Sequence, residues 1–256
     1  KKDQELQIRK PYQFPYFCID EKVDFNVQGT VGKFTLSTTY KGSRANAMRR
    51  YFKSTNKREI IDSWNSFLFY GLNYSSDRNG TDVRNVFKDA AIDVISDDKR
   101  LNEVKIQYTA IIENPYYVDP QNNRFLMYFD RNVVKASARD FMHKDLSFWH
   151  NFDTEKYEIN LYTDQKIDTE EKYTVQECTI ANPYFDYKSR KKVSKNGASV
   201  YIEYNPLINL EIPQSEFEKF RTDHHTIADS NFGIGIDIIE PGLMNRLKFS
   251  FKKKFK

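Results

Sequence analysis

Two stretches of strict alternation constrain this chain more than anything else in it. From Lys33 to Tyr40 the even positions Phe34, Leu36, Thr38 and Tyr40 share one face, rich in β-branched and aromatic side chains. From Asn102 to Ile112, Val104, Ile106, Tyr108 and Ala110 point one way while Lys105, Gln107 and Thr109 point the other. A period of two over such lengths predicts strands with one dry and one wet face, so the dry faces must be covered by a second layer.

The covering layer is legible as helices. Lys41-Gly42-Ser43 ends the first alternating run, and Ser43 is the expected N-cap of a helix whose stripe is Ala45, Met48 and Phe52. Arg44, Arg49 and Arg50 fall mostly off that stripe. A second helix is traced by Ile60, Ile61, Trp64, Phe67, Leu68 and Leu72, with Gly71 near its end. Its apolar face is wide, so it must dock. Pro213 followed by Phe217, Phe220, His224 and Ile227 predicts a third helix.

Shorter signals fill in the rest. Residues 1–29, with Pro11 and Pro15 ahead of Val23, Phe25 and Val27, read as a connector leading into an edge strand. Asp77-Arg78-Asn79-Gly80 reads as a turn, Ala91–Ile95 and Phe125–Phe129 as strands, and Arg131–Asp153 as an irregular crossover. Beyond it Tyr157, Ile159 and Leu161 alternate, Tyr173 and Val175 continue the theme, and Val200, Ile202 and Tyr204 form the second arm of a hairpin. Asn196-Gly197 predicts a type I′ turn between its arms. Ile234, Ile236 and Ile238 close the pattern. The expected class is α+β, a mainly antiparallel sheet or sandwich with two or three packed helices. It divides into a strand-helix-helix-strand half with its connector (1–135), a β-rich half with a late helix (136–242) and a basic aromatic tail (243–256).

Length and composition exclude several functions. The 256 residues suffice for one large domain or two modest ones at about 150 residues each. Hydrophobic residues are only 39%, but 20 Phe and 17 Tyr give each buried side chain a large apolar area, which rules out disorder for most of the chain. Lys+Arg 40 against Asp+Glu 36 describes a mixed surface, not a phosphate-binding one, so nucleic acid is not the expected partner. The longest uncharged run, 63–76, carries Asn65 and Asn73 and falls short of the ~20 apolar residues of a spanning helix. The start, Lys1-Lys2-Asp3, is that expected of a processed product or a fragment.

The candidate chemical residues do not converge. Acidic neighbours of Cys18 (Asp20, Glu21) would raise its thiol pKa, and Cys178 reads as a buried strand thiol. Two cysteines permit one disulfide without implying it. His224 and His225 are adjacent, about 100° apart on a helix, and cannot share a metal; His224 reads as packed and His225 as solvated. His143 and His150 form a site only if their loop folds back on itself. Gly233-x-Gly235 lacks the third glycine of a dinucleotide fingerprint. Lys188, Arg190, Lys191, Lys192 and Lys195 read as a lysine-protected edge before an anion-binding patch. No cofactor or metal is called for. In the tail, Lys248, Phe249, Phe251, Lys252, Lys253, Lys254 and Phe255 interleave cations with rings; a short disordered tail is the default reading, and a partner or anionic membrane-surface contact is the alternative this composition suits.

The run from Gly32 through Tyr40-Lys-Gly42-Ser-Arg-Ala45 to Arg49, the Trp64 helix and the strand reaching Tyr108 resemble a known arrangement. The chain is similar, over roughly residues 28–240, to the C-terminal β-rich region of bacterial envelope proteins that carry an N-terminal domain of unknown function and a central transglutaminase-like domain. The resemblance implies a periplasmic setting and an accessory role beside a papain-like Cys-His-Asp core. The segment that would carry that triad precedes the matching region, so no catalytic residue transfers to this chain. Gly42, Ala45 and Arg49 match the motif as structural positions: a strand-to-helix turn, a close-packed helix face and a charge ready to pair.

The expected function is therefore a non-catalytic envelope module that docks onto another polypeptide. Two rivals are a hydrolase or acyltransferase using Cys18 or Cys178 with His143 or His150, and a glycan-binding β module stacking sugars on exposed rings.

Overall fold

The computed structural model describes residues 17–71, 86–113, 115, 117–119, 124–130, 148–149, 153–168, 177–207, 211–229 and 233–238. Both alternating runs are strands, β2 (Val31–Gly42) and β4 (Glu103–Glu113), paired antiparallel so that Phe34 faces Ala110, Leu36 faces Tyr108 and Thr38 faces Ile106. All six of these side chains are buried, because the register keeps every inward residue of one strand beside an inward residue of the next.

Strand β1 (Phe17–Gln28) corrects the sequence reading of an edge. It lies inside the sheet, antiparallel to β2 and parallel to β8 (Asp153–Thr163). It begins beyond both prolines, so neither interrupts its ladders. Val23, Phe25 and Val27 are completely buried between Leu36, Phe34 and Gly32 on one side and Ile159, Leu161 and Thr163 on the other. Strand β3 (Phe87–Asp98) flanks β4, and on the far side β8 is followed by β12 (Gly197–Pro206), β11 (Phe185–Ser194) and β10 (Cys178–Ala181). The order is β10-β11-β12-β8-β1-β2-β4-β3, one mixed, mostly antiparallel sheet. Strands from either side of position 135 thus join in one sheet.

The remaining strands are short. β5 (Tyr117–Asp119), β6 (Arg124–Asp130), β9 (Ile167–Asp168) and β14 (Gly233–Ile238) make a four-stranded sheet, and β7 (Phe148–Trp149) pairs with β13 (Glu211–Ile212). Phe129 of β6 reaches Phe34 with ring centroids 5.5 Å apart, which sets the small sheet over the same face that the helices cover.

Helices α1 (Ser43–Ser54) and α2 (Lys57–Gly71) follow β2 directly. Ala45 is fully buried, and Met48 and Phe52 pack against the core. In α2, Ile60, Trp64 and Leu68 turn inward, each burial contributing about 1.5–3 kcal/mol. Helix α3 (Phe217–Asp229), entered through Pro213 and a 3-10 turn at Gln214–Glu216, buries Phe217, Phe220, His224 and Ile227. Phe220 meets Phe185 at 5.8 Å and Tyr184 at 5.7 Å, closing the β11–β12 end of the core.

Two local readings change. The N-cap of α1 is Gly42, with φ 60° and ψ −132°, and no side chain caps the helix; Ser43 is already its first residue. A positive φ is what glycine supplies at this strand-to-helix corner. The β11–β12 hairpin exists, but its two loop residues are Lys195 and Asn196, neither with positive φ, so the turn is not type I′. Gly197 is required for another reason: a Cβ there would collide with the Leu161 carbonyl oxygen.

The other face of the large sheet carries a polar lattice. Lys22 pairs with Glu158 at 2.8 Å, Asn160 donates to Asp24 and Glu158 at 2.9 Å each, and Lys156 pairs with Glu203 at 2.9 Å. The hydrogen bonds from Lys22 and Asn160 hold the Glu158 carboxyl below its usual range. This is the wet face that the alternation required.

Candidate functional site

The β2–α1 corner anchors a surface groove. Asn102, in the β3–β4 turn with φ 49°, accepts from the Gly42 amide at 3.0 Å and donates its side-chain amide to the Gly42 carbonyl at 3.1 Å. Arg49, one helical turn past Ala45, reaches the same turn. Its Nε donates to Asp97 at 2.8 Å, its Nη1 to Asn46 at 2.9 Å and to Asn102, and its Nη2 to the carbonyls of Asp98 and Glu103. The guanidinium fork thereby fixes α1 against the tip of the β3–β4 hairpin. The structure thus places Gly42, Ala45 and Arg49 at one junction.

With α1 held there, α2 comes to lie beside it, and a groove of about 310 Å³ opens between the two helices above the end of β2. Tyr40, Met48, Tyr51, Ser63, Trp64 and Phe67 line it, and none of the six is charged. Trp64 is 9% exposed and stacks on Tyr108 at 6.2 Å with the ring planes 16° apart, while Phe67 at the lip is 47% exposed. Beneath, the buried Tyr108 hydroxyl donates to the Asn65 side-chain oxygen, and burial pushes that phenol well above its usual pKa. The rings continue inward through Phe34 and Phe25. The walls therefore rest on an interlocked aromatic base.

Sequence periodicity had Met48, Trp64 and Phe67 on apolar helix stripes and missed that three of those positions, with Tyr40, Tyr51 and Ser63, surround an opening. The signal was the excess width of the α2 face: Ile60, Trp64 and Leu68 suffice to dock the helix, and Phe67 lies beyond them.

The other candidates separate. Strands β1 and β10 have three strands between them, four intervals in all, so Cys18 and Cys178 stand roughly 19 Å from one another at about 4.8 Å per interval. That exceeds the ~7 Å Cα limit for a disulfide, and both thiols are free. Burial pushes both thiols up, with Lys41 partly offsetting this at Cys18. His224 is buried against Phe185 at 4.7 Å and Phe220 at 4.4 Å, and His225 is exposed. Gly233 opens β14, and the arm with Lys188, Arg190, Lys191 and Lys192 is β11, whose first half pairs with β10. His143, His150, the 77–80 turn, Tyr173, Val175 and the tail residues Lys248, Phe249, Phe251, Lys252, Lys253, Lys254 and Phe255 lie outside the described residues.

Comparison with protein-family models, with curated proteins and with solved structures finds no match to this chain. What fold and site define together is an α+β protein with one face of a mixed eight-stranded sheet covered and a helix-walled aromatic groove opening from that covered side.

Proposed function

We propose that the chain is a non-catalytic interaction module of the bacterial envelope, accessory to a transglutaminase-like core or to a larger complex, and that the α1–α2 groove receives the partner polypeptide. The observation that carries this reading is the groove itself: an open, uncharged, ring-lined concavity on a rigid base, the kind of surface that desolvates readily against another chain. The envelope setting and the transglutaminase-like partner rest on the resemblance of residues 28–240 alone. The raised thiol pKa values weigh against Cys18 or Cys178 as a nucleophile. A sugar site would gain from side-chain carboxylates or amides around the rings, whereas the polar groups of this described lining are the hydroxyls of Ser63, Tyr40 and Tyr51 and the indole N–H of Trp64.

The test is a photo-crosslinking amino acid placed at Phe67, with a second at Tyr162 on the opposite sheet face. A defined polypeptide crosslinked from position 67 and lost when Ser63→Trp fills the groove supports the reading. No crosslink, or equal crosslinking from position 162 that Ser63→Trp leaves intact, overturns it.

A further inference from the structure

We infer that Asn196 is a site of spontaneous self-modification, and that its conversion to aspartate and isoaspartate releases the β11–β12 turn from the β8–β9 turn. The inference is independent of the groove. It starts from Gly197, where a Cβ would collide with the Leu161 carbonyl oxygen, a backbone atom that cannot swing aside. The fold therefore demands glycine directly after Asn196. With no side chain beside it, a glycine amide nitrogen is the least hindered nucleophile that a chain can place next to an asparagine carboxamide. Asn196 is itself exposed, in the two-residue loop of the hairpin. Its Nδ2 donates to the Thr163 carbonyl at 3.3 Å and to the Gln165 carbonyl at 3.4 Å, both longer than an ordinary N–H···O bond. Little thus holds the carboxamide against the rotation that brings its Cγ to the Gly197 nitrogen.

The reaction needs only water. The Gly197 nitrogen gives up its proton to solvent and attacks Cγ of Asn196; the new Cγ–N bond forms, the Cγ–Nδ2 bond breaks, and Nδ2 leaves as ammonia. Water then opens the five-membered imide. Cleavage between Cγ and the Gly197 nitrogen leaves aspartate, and cleavage between the main-chain carbonyl carbon and that nitrogen leaves isoaspartate, whose chain runs on through Cβ and Cγ. Either way one water is consumed and one ammonia released.

The consequence follows from what Asn196 holds. Its backbone carbonyl accepts from the amide of the buried Thr163 at 2.9 Å, so side chain and main chain together join the two turns. A carboxylate at Cγ has no N–H for the Thr163 and Gln165 carbonyls and sets its charge against them. In isoaspartate the oxygen that met the Thr163 amide leaves the main chain altogether, and the loop lengthens by an atom. The neighbouring Asp164 donates its amide to the Val27 carbonyl at 3.1 Å and accepts from the Gly29 amide at 3.0 Å, so the β1–β2 turn hangs on the same segment.

The experiment ages the folded chain in mildly alkaline buffer and follows each asparagine by peptide mass spectrometry, the two acid products being separated by chromatography. Asn26 and Asn56 are exposed as well, but Val27 and Lys57 follow them, and they serve as internal references. Asn196 is expected to convert at least about tenfold faster than either, a barrier difference of ~1.4 kcal/mol. Hydrogen exchange at the Thr163 amide is expected to quicken in the converted fraction, isolated by its added negative charge, and in Asn196→Asp, which supplies one product without ageing. Asn196→Gln, whose longer side chain closes a ring far more slowly, stays unconverted. Conversion at 196 no faster than at 26 and 56, or converted chains whose Thr163 amide exchanges as before, overturns the inference.

Discussion

Replacing Arg49 by Met keeps the aliphatic stem and removes the fork that joins α1 to the β3–β4 turn. The pair with Asp97, at 2.8 Å and with Asp97 36% exposed, is worth about 1 kcal/mol once solvent screening is counted. The donors to the carbonyls of Asp98 and Glu103 and to the Asn102 side chain add about 0.5–1 kcal/mol each, since those acceptors are partly buried and lose a partner. The expected loss is about 2–4 kcal/mol, a fall in Tm of roughly 5–15 °C for a chain of this size. Urea unfolding followed by far-ultraviolet circular dichroism measures it. Arg49→Lys preserves the charge but not the fork and should lose roughly half as much. Asp97→Asn should lose about 1 kcal/mol, and combined with Arg49→Met less than the two singly, because the pair is counted twice. If Arg49→Met stays within about 0.5 kcal/mol of the parent, the junction is not held as described.

Gly197→Ala drives a Cβ against the Leu161 carbonyl, a backbone atom that cannot swing aside; the β8–β12 pairing should loosen by about 1–3 kcal/mol, read as a lower urea midpoint. The Glu203 carboxyl is held down at about 2 by the Asn205 side chain, Lys156 and Tyr201. Its contribution is therefore complete above its unfolded value near 4.5 and is lost as pH falls toward 2. Glu203→Gln should be less stable than the parent at pH 6 and approach it at pH 2.5, and a constant difference across that window would refute the linkage. Both thiols should react with iodoacetamide at pH 7 more slowly than free cysteine, Cys18 the slower because it is buried. Faster alkylation of either, located by peptide mass spectrometry, would restore the nucleophile reading.

Alternation made strands β2 and β4 and their inward residues readable from the sequence alone, because register and burial follow from the same period. It could not tell that β1 is interior: a strand flanked by two neighbours and one flanked by one show the same alternation. The residues that fix its place, on β8, lie far along the chain. Likewise Arg49 reads in sequence as a charge off the apolar stripe. Its partners Asp97, Asn102 and Glu103 are about fifty positions away and become neighbours only after β3 and β4 pair. The groove was half legible, since an apolar stripe marks what avoids water without marking what covers it. The Asn-Gly pair pointed to the right hairpin for the wrong reason: glycine's small size, not its conformational freedom, is what the site uses.

The parallel seam between β1 and β8 sets a clock on synthesis. Asp24 and Asn160, hydrogen-bonded across it, are separated by 136 positions. At about 5–20 residues per second, β1 waits roughly 7–27 s after leaving the ribosome before its second neighbour exists. During that interval the β1–β2 hairpin presents an open ladder flanked by Val23, Phe25 and Val27, side chains the finished protein buries completely. Slowing translation between β2 and β8 lengthens that exposure.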